Sequence, residues 1–129
     1  MQTVKMLMAI GAGGALGAMG RYVMTHWVMK LAGGGFPFGT MAVNLLGSLL
    51  MGVLIELLAL RYNLGPAAQA FVVTGVLGGF TTFSTFSLEA VLLIERHAYG
   101  AAALYVGGSV FLGILGLFAG LAITRVLIS

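Results

Sequence analysis

Residues 67–94 read AAQAFVVTGVLGGFTTFSTFSLEAVLLI. The run carries one charge, Glu89, and exceeds the ~20 apolar residues that a straight helix needs to cross a bilayer. Its centre, GGFTTFSTFS at 78–87, packs five hydroxyls and three phenylalanines between apolar flanks. Glycine costs a helix interior about 1 kcal/mol, and β-branched threonines lose rotamer freedom there. Gly78-Gly79 followed by Thr81 and Thr82 therefore predicts a transmembrane helix broken near Gly78–Thr82. A break at membrane depth is tolerated only where protein or a cavity satisfies the freed backbone groups. Freed carbonyls suit a cation and freed amides an anion.

The rest of the chain fits that reading. Of 129 residues, 60% are hydrophobic and 7% are charged, against about 25% charged in soluble domains. So few charges cannot cover a soluble surface, and the class is an all-α integral membrane protein with one domain over 1–129. Four spans are predicted, at 4–31, 40–60, 67–94 and 101–127. The turns between them are Gly33–Pro37, Arg61–Pro66 and Glu95–His97. Trp27, Tyr62 and Tyr99 fall near span ends, where interfacial aromatics belong. Continuous apolar runs, rather than alternation, exclude barrel strands. The first span carries no small-residue cleavage site before a polar domain and reads as retained. The chain has no cysteine and two well-separated histidines, so no metal cluster is expected. With no Lys/Arg cluster, nucleic acid is not a partner.

The loop charges are nearly balanced. Lys5, Arg61 and Arg125 fall on one side, and Lys30 and Arg96 on the other, joined by Arg21 if it reaches that interface. The positive-inside rule then orients the chain weakly, which predicts insertion in both directions and pairing of opposed copies. Gly13/Gly17, Gly75/Gly79 and Gly116/Gly120 form GxxxG pairs suited to close helix packing in lipid. The stretch GAGGALG at 11–17 is not a dinucleotide fingerprint, since Leu16 replaces the third glycine and no βαβ unit surrounds it.

Polar groups inside a membrane are functional candidates. Arg21 is in span 1. Asn44 and Ser48 are one turn apart in span 2, as are Tyr105 and Ser109 in span 4. Each also has a plain structural role available: a hydroxyl bonding back to its helix, an asparagine clasp, a snorkelling arginine. The density in span 3 sets it apart. Past the break, Phe83 and Phe86 share a face, Thr81, Ser84 and Ser87 a second, and Thr82, Thr85 and Glu89 a third. Phenyl edges are electropositive and hydroxyls donate, as do Asn44 and Arg21. A lining rich in donors suits a small anion better than a cation.

The motif Gly75-x-x-Gly78-Gly79-x-Thr81-Thr82-Phe83-Ser84-Thr85-Phe86-Ser87-x-Glu89 resembles the signature of the Fluc (CrcB) family of fluoride channels. Gly17-x-x-x-Arg21 and Gly39-Thr40-x-x-Val43-Asn44-Leu45 extend the likeness, and length and span number match throughout. The resemblance implies passive fluoride export through two pores of an antiparallel, dual-topology homodimer in the inner membrane. It implies Phe83 and Phe86 ring edges and Asn44 along the pore. Ser84, Thr85, Tyr105 and Ser109 would form a polar track, with Glu89 nearby. Gly78 and Thr81 carbonyls would face a central structural sodium ion, and Arg21 a vestibule at the dimer centre. Some relatives carry a further hydroxyl one turn past the position of Ser109; here that place is Gly113.

Two other classes compete. Small proton-coupled multidrug exporters also have four spans, but resemble a pattern with a membrane-embedded acid in the first span. Here that span has none, and Glu56 sits towards the end of span 2, where a snorkelling or interfacial role is expected. A purely structural subunit would gain nothing from polar groups that are costly in lipid. No triad, metal-ligand cluster or phosphate loop suggests an enzyme.

Overall fold

A computed structural model describes residues 1–128, and they are helical apart from short turns. Helix α1 spans Gln2–Ala32 and α2 Phe38–Leu60. The third span, Pro66–Glu95, is composite. It opens with α3 (Pro66–Gln69), widens into a π-helical segment at Ala70–Leu77, and returns to α4 (Gly78–Phe80). It then breaks and resumes as α5 (Phe83–Glu95). Helix α6 spans Tyr99–Ile128. All four units are long and apolar enough to cross a membrane. Their ends fall within two residues of the expected ones, the ordinary scatter of frayed termini.

Two helix ends use left-handed backbone. Gly33 leaves α1 at φ 88° and donates to the Met29 carbonyl at 3.0 Å. His97 takes φ 60° in the tight turn to α6, where its amide and that of Ala98 return to Ile94 and Leu93.

The helices pack as two close pairs, α1 with the first half of the third span and α2 with α6. Glycines make both seams. A Cβ on Gly13 or Gly17 would collide with the backbone oxygens of Phe71 and Val76. One on Gly79 would lie 2.7 Å from the Gly14 oxygen, and one on Gly75 2.9 Å from the Gly13 Cα. In the second pair, Gly52 abuts the Leu117 carbonyl and Gly120 that of Leu49. Lipid tails give helices no hydrophobic reason to associate, so backbone-to-backbone van der Waals contact must hold the pairs. The GxxxG pairs of α1 and the third span are thus used within the chain.

The break lies in the expected stretch, but its cause differs. Gly78 and Gly79 stay helical, with Gly79 pressed against α1. The chain leaves the helix after Phe80, at Thr81 (φ −87°, ψ 158°) and Thr82 (φ −150°, ψ 123°). Thr81 and Thr82 therefore do not stand on the helical faces that counting through the break assigns them. The π-wound segment had no signal in the sequence.

Glu56 is not snorkelling. It is buried and paired with Arg125 of α6 at 2.8 Å. Arg61 donates to the Ile128 carbonyl at 2.9 Å, closing the same end of the α2–α6 pair. Large side chains on the outer face of α6, such as Leu104, Phe111 and Phe118, are exposed. That inside-out pattern is expected where the surroundings are lipid.

Gly17→Ala forces the α1 backbone off Val76 and is expected to destabilise by about 1–3 kcal/mol, the usual cost of overpacking. Gly100→Ala, at an open position, is expected to be neutral. Thermal midpoints of the purified variants in detergent check both; equal midpoints would remove the packing role of Gly17.

Candidate functional site

Ending α4 at Phe80 strands backbone groups that a continuous helix would pair. Their partners can be followed one by one. The Thr81 amide and hydroxyl both return to the Leu77 carbonyl, at 3.1 and 3.2 Å. The Thr82 amide donates to Asn44 Oδ1 at 2.8 Å, and Asn44 Nδ2 donates to the Thr82 carbonyl at 3.0 Å. Thr82 Oγ1 accepts from the Thr85 amide at 3.2 Å, a threonine N-cap that restarts the helix as α5. Arg21 Nε donates to the Gly79 carbonyl at 3.0 Å. The Gly78 and Thr81 carbonyls are among those that lose their helical partners in this exchange. Gly78 would pair with the Thr82 amide and Thr81 with the Thr85 amide, and both amides are engaged elsewhere.

The Asn44 pairing fixes more than the break. A carboxamide can present either its oxygen or its NH2 by a half-turn. Thr82 offers one donor and one acceptor in a set order, so the Asn44 amide has one satisfactory orientation. Its oxygen has accepted one bond, and one of its two Nδ2 hydrogens remains to donate. What Asn44 shows to its surroundings is a donor.

Those surroundings are a groove of about 380 Å³ beside the break, whose lining includes Asn44, Thr81, Thr82, Phe83, Phe86 and Ser109. Ser109 Oγ is buried there without a hydrogen-bond partner among the described residues. The Phe83 and Phe86 rings lie 5.7 Å apart, and Phe83 is largely exposed. Phe86 packs at 5.1 Å, with its ring tilted by 41°, against Tyr105, which is fully buried and donates to Glu89 Oε1 at 3.1 Å. The aromatic series thus leads from the break towards Glu89, which lines a second hollow of about 350 Å³ with Phe36 and Arg96.

The expected site residues divide between these places. Asn44, Thr81, Phe83, Phe86 and Ser109 meet in one groove, and Tyr105 and Glu89 adjoin it through Phe86. Thr85 turns instead into a larger concavity of about 600 Å³ lined by Arg21, His26 and Lys30. Thr82 lines both. Ser84 is exposed, with its hydroxyl 3.4 Å from that of Thr82. Ser84 and Thr85 are therefore not part of one stripe with Tyr105 and Ser109. Gly78 is exposed on the outer surface of the chain. Sequence reasoning missed the part played by Thr82. An N-cap threonine three residues before Thr85 was the available signal.

A family model described as CrcB-like protein, Camphor Resistance (CrcB), matches residues 8–121. The chain belongs to the CrcB-like family. Its curated relatives include a fluoride-specific ion channel FluC of Agrobacterium fabrum, 53% identical over 116 residues, covering 90% of this chain and 93% of the relative. A protein of the same name from Rhodospirillum centenum is 51% identical over 126 residues, covering 95% and 97%. A third, from Cereibacter sphaeroides, is 52% identical over 122 residues, covering 95% and 96%. The CrcB-like match spans all four helices, including the break and the Asn44 pairing. This multi-pass membrane chain is thus alike to its relatives over nearly its whole length.

Asn44→Ala leaves both the Thr82 amide and carbonyl without their partner. An unsatisfied buried group costs about 1–3 kcal/mol, so a clear fall in thermal midpoint in detergent is expected. An unchanged midpoint would mean that the break holds without Asn44.

Proposed function

We propose that the chain is a fluoride-selective channel through which fluoride leaves the cytoplasm passively. The observation that carries this reading is the groove at the break, where the second Nδ2 hydrogen of Asn44 and the unpartnered Ser109 hydroxyl stand beside the Phe83 and Phe86 rings. Asn44 Nδ2 and Ser109 Oγ can give hydrogen bonds to an anion leaving water. Phe83 and Phe86 add electropositive ring edges. Among the described residues, no acidic side chain lines this groove. Fluoride, small and strongly hydrogen-bonding, is costly to strip of water, and such a lining offers hydrogen bonds in exchange for those it loses. Relatives at about half identity are named fluoride-specific ion channels, which supports the choice of ion.

In this reading fluoride enters the donor groove at Asn44, passes along the Phe83 and Phe86 edges, and continues by Ser109 and Tyr105 towards Glu89. The Tyr105 hydroxyl, held by Glu89, is placed to exchange that bond for one to the ion. Ser84 and Thr85 serve the approach at the start of α5. Arg21, bonded to Gly79 and facing the larger concavity, supplies positive potential in a vestibule.

The functional unit is an antiparallel, dual-topology homodimer in the inner membrane. The near balance of Lys5, Arg61 and Arg125 against Lys30 and Arg96 supports this. The exposed Gly78 and the freed carbonyls of Gly78 and Thr81 suit a structural sodium ion shared between copies, since a hard cation takes oxygen ligands. Such an ion would supply fixed positive charge at the dimer centre. The chemistry is conduction rather than catalysis. The rival multidrug exporter is not favoured, because α1 has no acid and Glu56 is already bound to Arg125.

Liposomes bearing the protein are expected to release fluoride while nearly excluding chloride; equal release of both would defeat the selectivity. Phe83→Ile and Phe86→Ile are expected to suppress fluoride release with the dimer intact. Asn44→Asp, which puts an anion in an anion path, is expected to do so too. A reporter fused to the C-terminus should read out on both sides of the membrane, and readout on one side alone would contradict dual topology.

A further inference from the structure

The hydroxyls around the break differ in what they bond. Thr81 and Ser87 each donate to the carbonyl four residues earlier, at 3.2 and 3.0 Å. Thr82 Oγ1 is committed to capping α5. Ser48 is different. It lies one turn past Asn44 on α2, lines the same groove, and forms no hydrogen bond to any described residue. It shares that state with Ser109 across the groove. A serine within a membrane helix ordinarily turns its hydroxyl back onto its own backbone, because an unpaired polar group is costly there. Ser48 does not, so its hydroxyl is available to something that occupies the groove.

Its position along the groove is set by α6. One turn past Ser109, that helix carries Gly113, which offers no side chain. The nearest atom to a Cβ built on Gly113 is Ser48 Oγ, at 3.7 Å. The hydroxyl of α2 therefore stands where α6 has none, and the donor line Tyr105, Ser109 is extended on the side away from Glu89 by crossing from α6 to α2.

We infer that Ser48 is a further ion-binding residue of the fluoride path, donating its hydroxyl to the ion opposite Gly113. This rests on the fluoride-channel reading. Serine at 48 supplies the donor that glycine at 113 lacks. The two positions face each other, so the donor can be moved from one to the other.

That interchange is the test, read as the initial rate of fluoride release from liposomes. Ser48→Ala is expected to slow release about tenfold, the scale of one hydrogen bond to a charged group in a barrier. Gly113→Ser alone meets only an ordinary contact and is expected to leave the rate near that of the unaltered chain. Ser48→Ala with Gly113→Ser is expected to recover most of the rate, whereas Ser48→Ala with Gly113→Ala is not. Ser48→Thr, which keeps the hydroxyl, is expected to conduct even if Ser48→Ala assembles poorly. A Ser48→Ala rate equal to that of the unaltered chain overturns the inference, as does a loss that Gly113→Ser does not repair. Failure of the unaltered chain to release fluoride would instead overturn the channel reading itself.

Discussion

The reciprocal pair between the Asn44 carboxamide and the Thr82 peptide unit is the interaction on which the site depends. A helix cannot stop at membrane depth without finding partners for the amides and carbonyls it releases. Asn44 answers for one amide and one carbonyl at once, at 2.8 and 3.0 Å. Thr82 then caps α5, Arg21 takes the Gly79 carbonyl, and the carbonyls released include those of Gly78 and Thr81. The same pairing fixes the carboxamide so that one Nδ2 hydrogen remains to donate. One side chain thus opens the helix and sets the polarity of what the opening presents.

Lipid imposes the second constraint. With little apolar driving force between helices, the chain relies on glycine seams that bring backbones together. Gly13, Gly17, Gly75 and Gly79 hold α1 to the upstream half of the third span, and Gly52 and Gly120 hold α2 to α6. Asn44 rides on α2 and reaches Thr82, so the two pairs meet at the break. Rigid seams on both sides keep a 3 Å pairing in register, and an anion path needs donors that do not rearrange to solvate themselves.

Much of this was legible in the residues, and the limits have physical causes. Four spans follow from apolar runs that exceed a bilayer, and their ends from Gly, Pro and charged turns. The break was legible as a place because GGFTT is a poor helix interior. Its mechanism was not, since the intrinsic cost of glycine was outweighed by its value in packing on Gly14, and the threonines took the extended backbone instead. Helical faces counted from Phe83 onward hold, so Phe83 and Phe86 remain neighbours. Faces counted through the break lose their helical basis, because a two-residue break resets the phase, although Thr82 and Thr85 still line one concavity with Arg21. The partner of Glu56 lies 69 residues away on α6, a distance that no local pattern bridges. Asn44, Ser109 and Tyr105 could be singled out because polar groups in a membrane are costly, and the structure adds which of them share a groove.

The central claim is that Asn44 offers a fixed donor to an anion beside the broken helix. The side-chain amide of Asn44, observed by NMR in isotopically labelled protein in bicelles, tests it most directly. One Nδ2 proton should already be shifted by its bond to Thr82, and the other should move on titration with fluoride but not with chloride. Two protons that both ignore fluoride, or that respond equally to either halide, would contradict the account.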